Sequence, residues 1–242
     1  YMLKINGLTK IYGRSDVKAV DDLSLEVESG EIFGFIGPNG AGKSTTIKCV
    51  TGITGFNAGT IEVNGFDVRK NPIEAKCSIG YVSDSHVVYD QLTGAEYVDF
   101  MASIYGVADK ESYKSRLENY IDVFGLKAAF NEPIKSYSHG MQQKINVIGA
   151  IIHNPPLLIL DEPTAVLTPS ETQALFGVCR SLTAMGKTIL FISHKLKEVL
   201  EISDEITVMR AGKVTGHIRT DEADEIKLAT MMVGRDVVLR VR

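Results

Sequence analysis

The residues able to do chemistry in this chain begin with Gly37-Pro38-Asn39-Gly40-Ala41-Gly42-Lys43-Ser44-Thr45, a match to G-x-x-x-x-G-K-[ST]. A buried apolar stretch precedes it, and Thr46-Ile47-Lys48-Cys49-Val50 can continue as a helix. Glycines let successive backbone N–H groups curl inward, and a helix start adds free N–H groups and partial positive charge. The stretch therefore reads as a phosphate cradle, with Lys43 reaching the β- and γ-phosphates and Ser44 ligating Mg²⁺. The bland alternative is a glycine-rich turn that matches by accident, and the strand-then-helix context argues against it.

A second group is Asp161-Glu162, directly after the wholly apolar Leu157-Leu158-Ile159-Leu160. Two adjacent acids alone are usually a solvated turn. At the end of a buried strand they sit where open α/β sheets bind ligands. Asp161 there can hold Mg²⁺ directly or through water, and Glu162, facing another way, can polarise a water for attack on the γ-phosphate.

The elements that must position these groups are legible in outline. Ile32–Ile36, Leu157–Leu160 and Thr188–Ile192 are near-continuous apolar runs, the pattern of parallel strands covered on both faces. Leu23–Val27 alternates with period two, and Gly59–Gly65 reads as a strand ending in an Asn-Gly turn. Thr93–Ile104, Tyr113–Phe124 and Met141–Ile152 carry apolar residues at helical spacing, so about 85–150 reads as a helical insertion between sheet halves. The expected fold is α/β, with a largely parallel sheet, a small antiparallel part and a helical subdomain.

Composition sets bounds. The 242 residues suit one large domain, and 44% hydrophobic with 23% charged residues excludes global disorder. A net charge of −4 argues against a general nucleic-acid binder. Cys49, Cys77 and Cys179 are few and widely spaced, which argues against zinc or a disulfide framework and fits a reducing compartment. Nothing at the N-terminus reads as a signal peptide, and Tyr1 ahead of Met2 reads as a cloning remnant. The longest apolar runs, such as Val147–Ile152, fall far short of the roughly 20 residues a bilayer requires.

With these motifs in this order, residues 2–235 resemble the ATP-binding subunit of an ATP-binding cassette (ABC) transporter. The resemblance implies one P-loop NTPase (ABC ATPase) domain over 1–242: a largely parallel sheet, an antiparallel β subdomain and an inserted helical subdomain at about 85–150. Residues 37–45 match Walker A, and 157–162 match Walker B with Glu162 as the catalytic acid. Tyr12 resembles the aromatic residue that stacks on adenine, and His194 in Ile192-Ser193-His194-Lys195 resembles the switch histidine that bonds the γ-phosphate. Ser136-Tyr137-Ser138-His139-Gly140-Met141-Gln142-Gln143 resembles the signature Leu-Ser-Gly-Gly-Gln, matching at Ser138 and Gly140. There Ser138 can donate to a phosphate, and Gly140 is expected to leave its N–H accessible to it; an ordinary helix cap at Ser138 is the bland alternative.

The resemblance implies ATP and Mg²⁺ as cofactors, and Mg²⁺-dependent ATP hydrolysis coupled to transport. It implies a head-to-tail pair with a second ABC ATPase subunit, a transmembrane permease as partner, no nucleic acid, and a place on the cytoplasmic face of the membrane. The signature departs at Tyr137, His139 and Met141, and two further positions depart from the family pattern. Asp84 stands where a Gln usually follows the strand, still able to ligate Mg²⁺ or water, and Thr168 replaces the Asp of Ser-Gly-Leu-Asp, which weakens the case for crosstalk between the two nucleotide sites. Residues 2–155 look like exporter or efflux ATPases. Residues 161–238, with Met231-Met232-Val233-Gly234-Arg235, look like the first cassette of sugar or nucleoside importers, where a second cassette normally follows. Two alternatives stay open: a non-transport ABC ATPase acting on DNA or ribosomes, and a hydrolysis-deficient regulatory cassette prompted by Asp84 and Thr168.

Overall fold

The computed structural model describes residues 1–13, 16–84, 89–107 and 110–234. Residues 85–88 and 108–109 of the expected helical insertion, and Arg235, lie outside the described residues. In chain order the elements are β1 (Leu3–Ile11), β2 (Lys18–Val27), β3 (Ile32–Ile36), α1 (Lys43–Val50), β4 (Ala58–Val63), β5 (Phe66–Asp67), α2 (Pro72–Cys77) and β6 (Ile79–Val82). There follow α3 (Gly94–Ile104), α4 (Lys110–Phe124), α5 (His139–Ile151), β7 (Leu157–Asp161), α6 (Pro169–Ala184) and β8 (Thr188–Ser193). The last are α7 (Leu196–Ile202), β9 (Glu205–Arg210), β10 (Lys213–Arg219) and α8 (Glu225–Val233).

Among the described residues the larger sheet runs β10-β9-β3-β8-β7-β6, parallel except for β10, and the smaller is antiparallel in the order β2-β1-β4-β5. The three apolar runs are the central strands β3, β7 and β8, buried at every position. Period-two alternation divides them between two cores. Leu158, Leu160, Ile189 and Phe191 face a core shared with Phe176 of α6 and Ile148 of α5. Leu157, Ile159, Leu190 and Ile192 face the antiparallel sheet's Leu3, Ile5 and Leu25. Burial on both faces is why these strands read as unbroken apolar runs.

Register brings the chemistry to one edge. Ile36 pairs with Ser193, and Asp161 pairs with Ile192. The segments that leave β3, β7 and β8 therefore emerge side by side at the carboxyl end of the sheet. The β6–β7 crossover carries α3, α4 and α5. The turn after β4 is Asn64-Gly65, with φ of 50° and 81°, the left-handed pair expected of a tight hairpin. No helix among the described residues is long and apolar enough to cross a membrane.

Helix α3 starts with a reciprocal cap. Thr93 Oγ1 accepts from the Glu96 N–H at 3.2 Å, and Glu96 Oε2 accepts from the Thr93 N–H at 2.8 Å. Thr93→Ala is expected to cost about 1 kcal/mol, read as a lower urea midpoint with unchanged slope. An unchanged midpoint would mean that the cap contributes nothing.

Candidate functional site

A cleft of about 380 Å³ opens at that edge, lined by Ala19, residues 39–45, Asp84, Asp161 and Glu162. The cradle is shaped by two glycines. Gly42, at φ 104°, is the N-cap of α1, and a side chain there would run into the Ala19 carbonyl. Gly37 has no room for a Cβ because the Met209 carbonyl lies against it. Helix α1 begins at Lys43, so its first amides face the cleft, an arrangement suited to anionic oxygens. Lys43 is buried, and its Nζ donates to the carbonyls of Gly37 at 2.6 Å and Pro38 at 3.2 Å. Gly37 and Pro38 thus hold the lysine, while Asn39, Gly40, Ala41, Gly42, Ser44 and Thr45 line the cleft.

Facing the cradle are three acids. Asp161 is buried at the last residue of β7, with Glu162 directly after it and Asp84 beyond β6. Burial first, then the charges of Asp84 and Glu162, push the Asp161 carboxyl up to about 6, opposed by Lys43. The nearby Tyr81 hydroxyl opposes that shift too, and its own titration is raised, by burial first and then by Asp161 and Asp84. Burial, the larger influence, draws the Lys43 ammonium down, while Glu162 and Asp161 hold it up. Among the described residues that line the cleft, Asp84, Asp161 and Glu162 stand with the Lys43 ammonium.

Ser44, Asp161 and Asp84 are hard oxygen donors on one cleft, the donor type that a divalent cation such as Mg²⁺ takes. Among the described residues no group of three His, Cys, Asp or Glu could hold a metal ion. Mg²⁺ takes one or two carboxylates and completes its shell with phosphate oxygens and water.

Glu162 has φ 48°, a left-handed conformation that costs a non-glycine residue about 1–3 kcal/mol and persists only where its surroundings enforce it. Its N–H donates to the Ile192 carbonyl at 3.0 Å, and its Oε2 lies 2.9 Å from His194 Nδ1. His194, just past β8, is half exposed, whereas the Glu162 side chain is only 18% exposed. The pair joins the ends of two neighbouring strands.

The remaining expected residues lie elsewhere. Tyr12 is 47% exposed just beyond β1, with Lys10 Nζ 4.7 Å from its ring centre, and does not line the cleft. Ser138 and Gly140 do not line it either. Ser138 is the N-cap of α5, its Oγ accepting from the Met141 N–H at 3.2 Å. The expectation of a free Gly140 amide is corrected: that N–H donates to Glu171 Oε1 at 3.0 Å. The other Glu171 oxygen accepts from the Thr168 N–H and hydroxyl, each at 3.0 Å, in a reciprocal cap that starts α6. These bonds, Thr168's first, hold the Glu171 carboxyl below its usual range. The T-x-x-E pattern of Thr168–Glu171 was the available signal for the cap; its reach to Gly140 had none. Ala19 and Tyr81 likewise carried no signal as site residues.

The family model described as ABC transporter matches residues 20–165. The chain is 34% identical to the linearmycin resistance ATP-binding protein LnrL of Bacillus subtilis over 88% of this chain and 68% of that one. It is 31% identical to the ribose import ATP-binding protein RbsA of Bacillus licheniformis over 98% of this chain, which spans about half (49%) of that protein. A solved ATP-binding subunit of an ABC transporter superposes with TM-score 0.84 at 28% identity, covering 97% of this chain and 99% of that one. One of these relatives is named for resistance and one for sugar import. With the family model covering more than half of the residues and the fold shared nearly end to end, this chain belongs to the ABC transporter family and has the fold of its ATP-binding cassette.

Proposed function

We propose that this chain binds and hydrolyses ATP to power transport through a separate membrane-spanning permease, acting from the cytoplasmic face of the membrane. One observation carries the reading: Lys43, Ser44, Asp84, Asp161 and Glu162 converge on a single cleft of polyphosphate dimensions. The cradle amides and Lys43 would hold the β- and γ-phosphates, with Lys43 exchanging its bonds to Gly37 and Pro38 for phosphate oxygens. Mg²⁺, held by Ser44 and Asp161 with Asp84 nearby, would offset the negative charge of the phosphates. Glu162 would take a proton from, or orient, the attacking water, and His194 would report the presence of the γ-phosphate to it. Tyr12 would stack on adenine, outside the phosphate cleft.

In this reading 1–242 is one cassette with a helical subdomain inserted at about 85–150, of which 85–135 meets the permease. A second ATPase subunit presents Ser138 and Gly140 to the nucleotide held by the cradle of the first, and nucleic acid is not a partner. ATP joins the two subunits because its γ-phosphate is gripped from both sides; hydrolysis removes that bridge and releases them. The test is phosphate release by the purified chain with ATP and Mg²⁺, and its stimulation by the permease in vesicles. Release that is absent in both settings would overturn the reading.

Closure has one built-in opponent. Glu171 already occupies the Gly140 amide, and a phosphate must displace it. A glutamine has one acceptor oxygen where the carboxylate gives one each to Thr168 and Gly140. Glu171→Gln is therefore expected to tighten ATP-dependent association by roughly three- to tenfold, measured by sedimentation in a hydrolysis-deficient background. Weaker association would show that Glu171 supports the loop instead.

A further inference from the structure

The left-handed backbone of Glu162 needs an anchor, and the structure supplies one two residues further on. Thr164 is completely buried in the segment after β7. Lys195, next to His194, sends its Nζ across to the Thr164 carbonyl at 2.9 Å and lies 3.4 Å from the Thr164 hydroxyl. The same ammonium donates to Glu198 Oε1 at 3.0 Å, and the Thr164 hydroxyl donates to the other oxygen of Glu198. A closed ring of ammonium, carboxylate and hydroxyl thus ties the segment carrying Glu162 to the segment carrying His194. The ring is sheltered: the Lys195 side chain is 35% exposed and that of Glu198 is 17% exposed. None of the three residues lines the phosphate cleft.

We propose that Lys195 is a positioning residue for hydrolysis: through Thr164 and Glu198 it holds Glu162 in its strained conformation and keeps His194 against it. The proposal rests on the reading of Glu162 and His194 given above. A cation with several donors serves the carbonyl, the hydroxyl and the carboxylate together, and a neutral side chain at 195 would leave Glu198 facing Thr164 without it. With the ring open, the segment after β7 can relax and carry the Glu162 carboxylate off its line to the attacking water. Displacements of this kind lower turnover and leave ground-state binding alone.

The experiment compares steady-state ATP hydrolysis and ATP affinity in the full chain, or in its complex with the permease, for Lys195→Met, Lys195→Arg and Glu198→Gln. Lys195→Met is expected to lose roughly tenfold in kcat with ATP affinity within about twofold of the parent. Lys195→Arg, which restores a cation and donors, should recover most of the loss. Should Lys195→Met fail to fold, Glu198→Gln opens the same ring from its other side and is expected to show the same split. A parental kcat in the variants overturns the proposal, as does a loss of kcat matched by an equal loss of ATP affinity that arginine does not restore. Glu162→Gln run in parallel separates the layers. If it retains turnover, the role of Glu162 itself has failed; if it is inactive while Lys195→Met is fully active, only the ring has failed.

Discussion

Glu162→Gln is expected to bind ATP with Mg²⁺ about as tightly as the parent, to release phosphate at least about 10²-fold more slowly, and to accumulate as an ATP-bound dimer. Glu162 sits at the rim of the cleft with one oxygen on His194, and it is held there by backbone that a glutamine adopts at the same cost. The amide keeps the shape but cannot take a proton, so the chemical step suffers while the cradle is untouched. Removing one negative charge from a cleft that already holds Asp84 and Asp161 should, if anything, favour the nucleotide. Single-turnover phosphate release and gel filtration with ATP are the measurements. Parental release would remove Glu162 from its role.

Lys43→Ala is expected to fail one step earlier, by losing nucleotide. Charge-assisted bonds from an ammonium to phosphate are worth about 1.5–3 kcal/mol each, so ATP affinity should drop by roughly a hundredfold or more in calorimetry. Two further effects act in the same direction. The Gly37 and Pro38 carbonyls lose the donor that draws the loop together, and Asp161 loses the cation that opposes its upward shift. An affinity equal to the parent would refute the cradle assignment.

How much of this was legible follows from how local each signal is. The cradle was readable because its backbone geometry, its lysine and its helix start are contiguous. The acid pair was readable because a strand buried on both faces announces its own end. The hairpin of β9 and β10 gave little warning: its turn places Ala211 at φ 48°, before Gly212 at 81°, and alanine is a poor advertisement for left-handed backbone. Asp84 could be aligned to the site from sequence, and it does line the cleft. The Gly140 amide was misjudged because its acceptor, Glu171, lies 31 residues away across the fold. The Lys195–Thr164–Glu198 ring was invisible for the same reason: its parts meet only when β7 and β8 lie side by side. Tyr12 was expected over a base, and the structure gives it a solvent-facing place with Lys10 above its ring.

In the proposed closed pair, one triphosphate is gripped by Lys43 of one copy and Ser138 of another. Mixing a Lys43→Ala chain with a Ser138→Ala chain tests it most directly, because the mixed pair contains one composite site with both residues intact. Each variant alone is expected to hydrolyse ATP poorly, and the mixture is expected to regain a clear part of parental activity. A mixture no more active than the sum of its parts would contradict it.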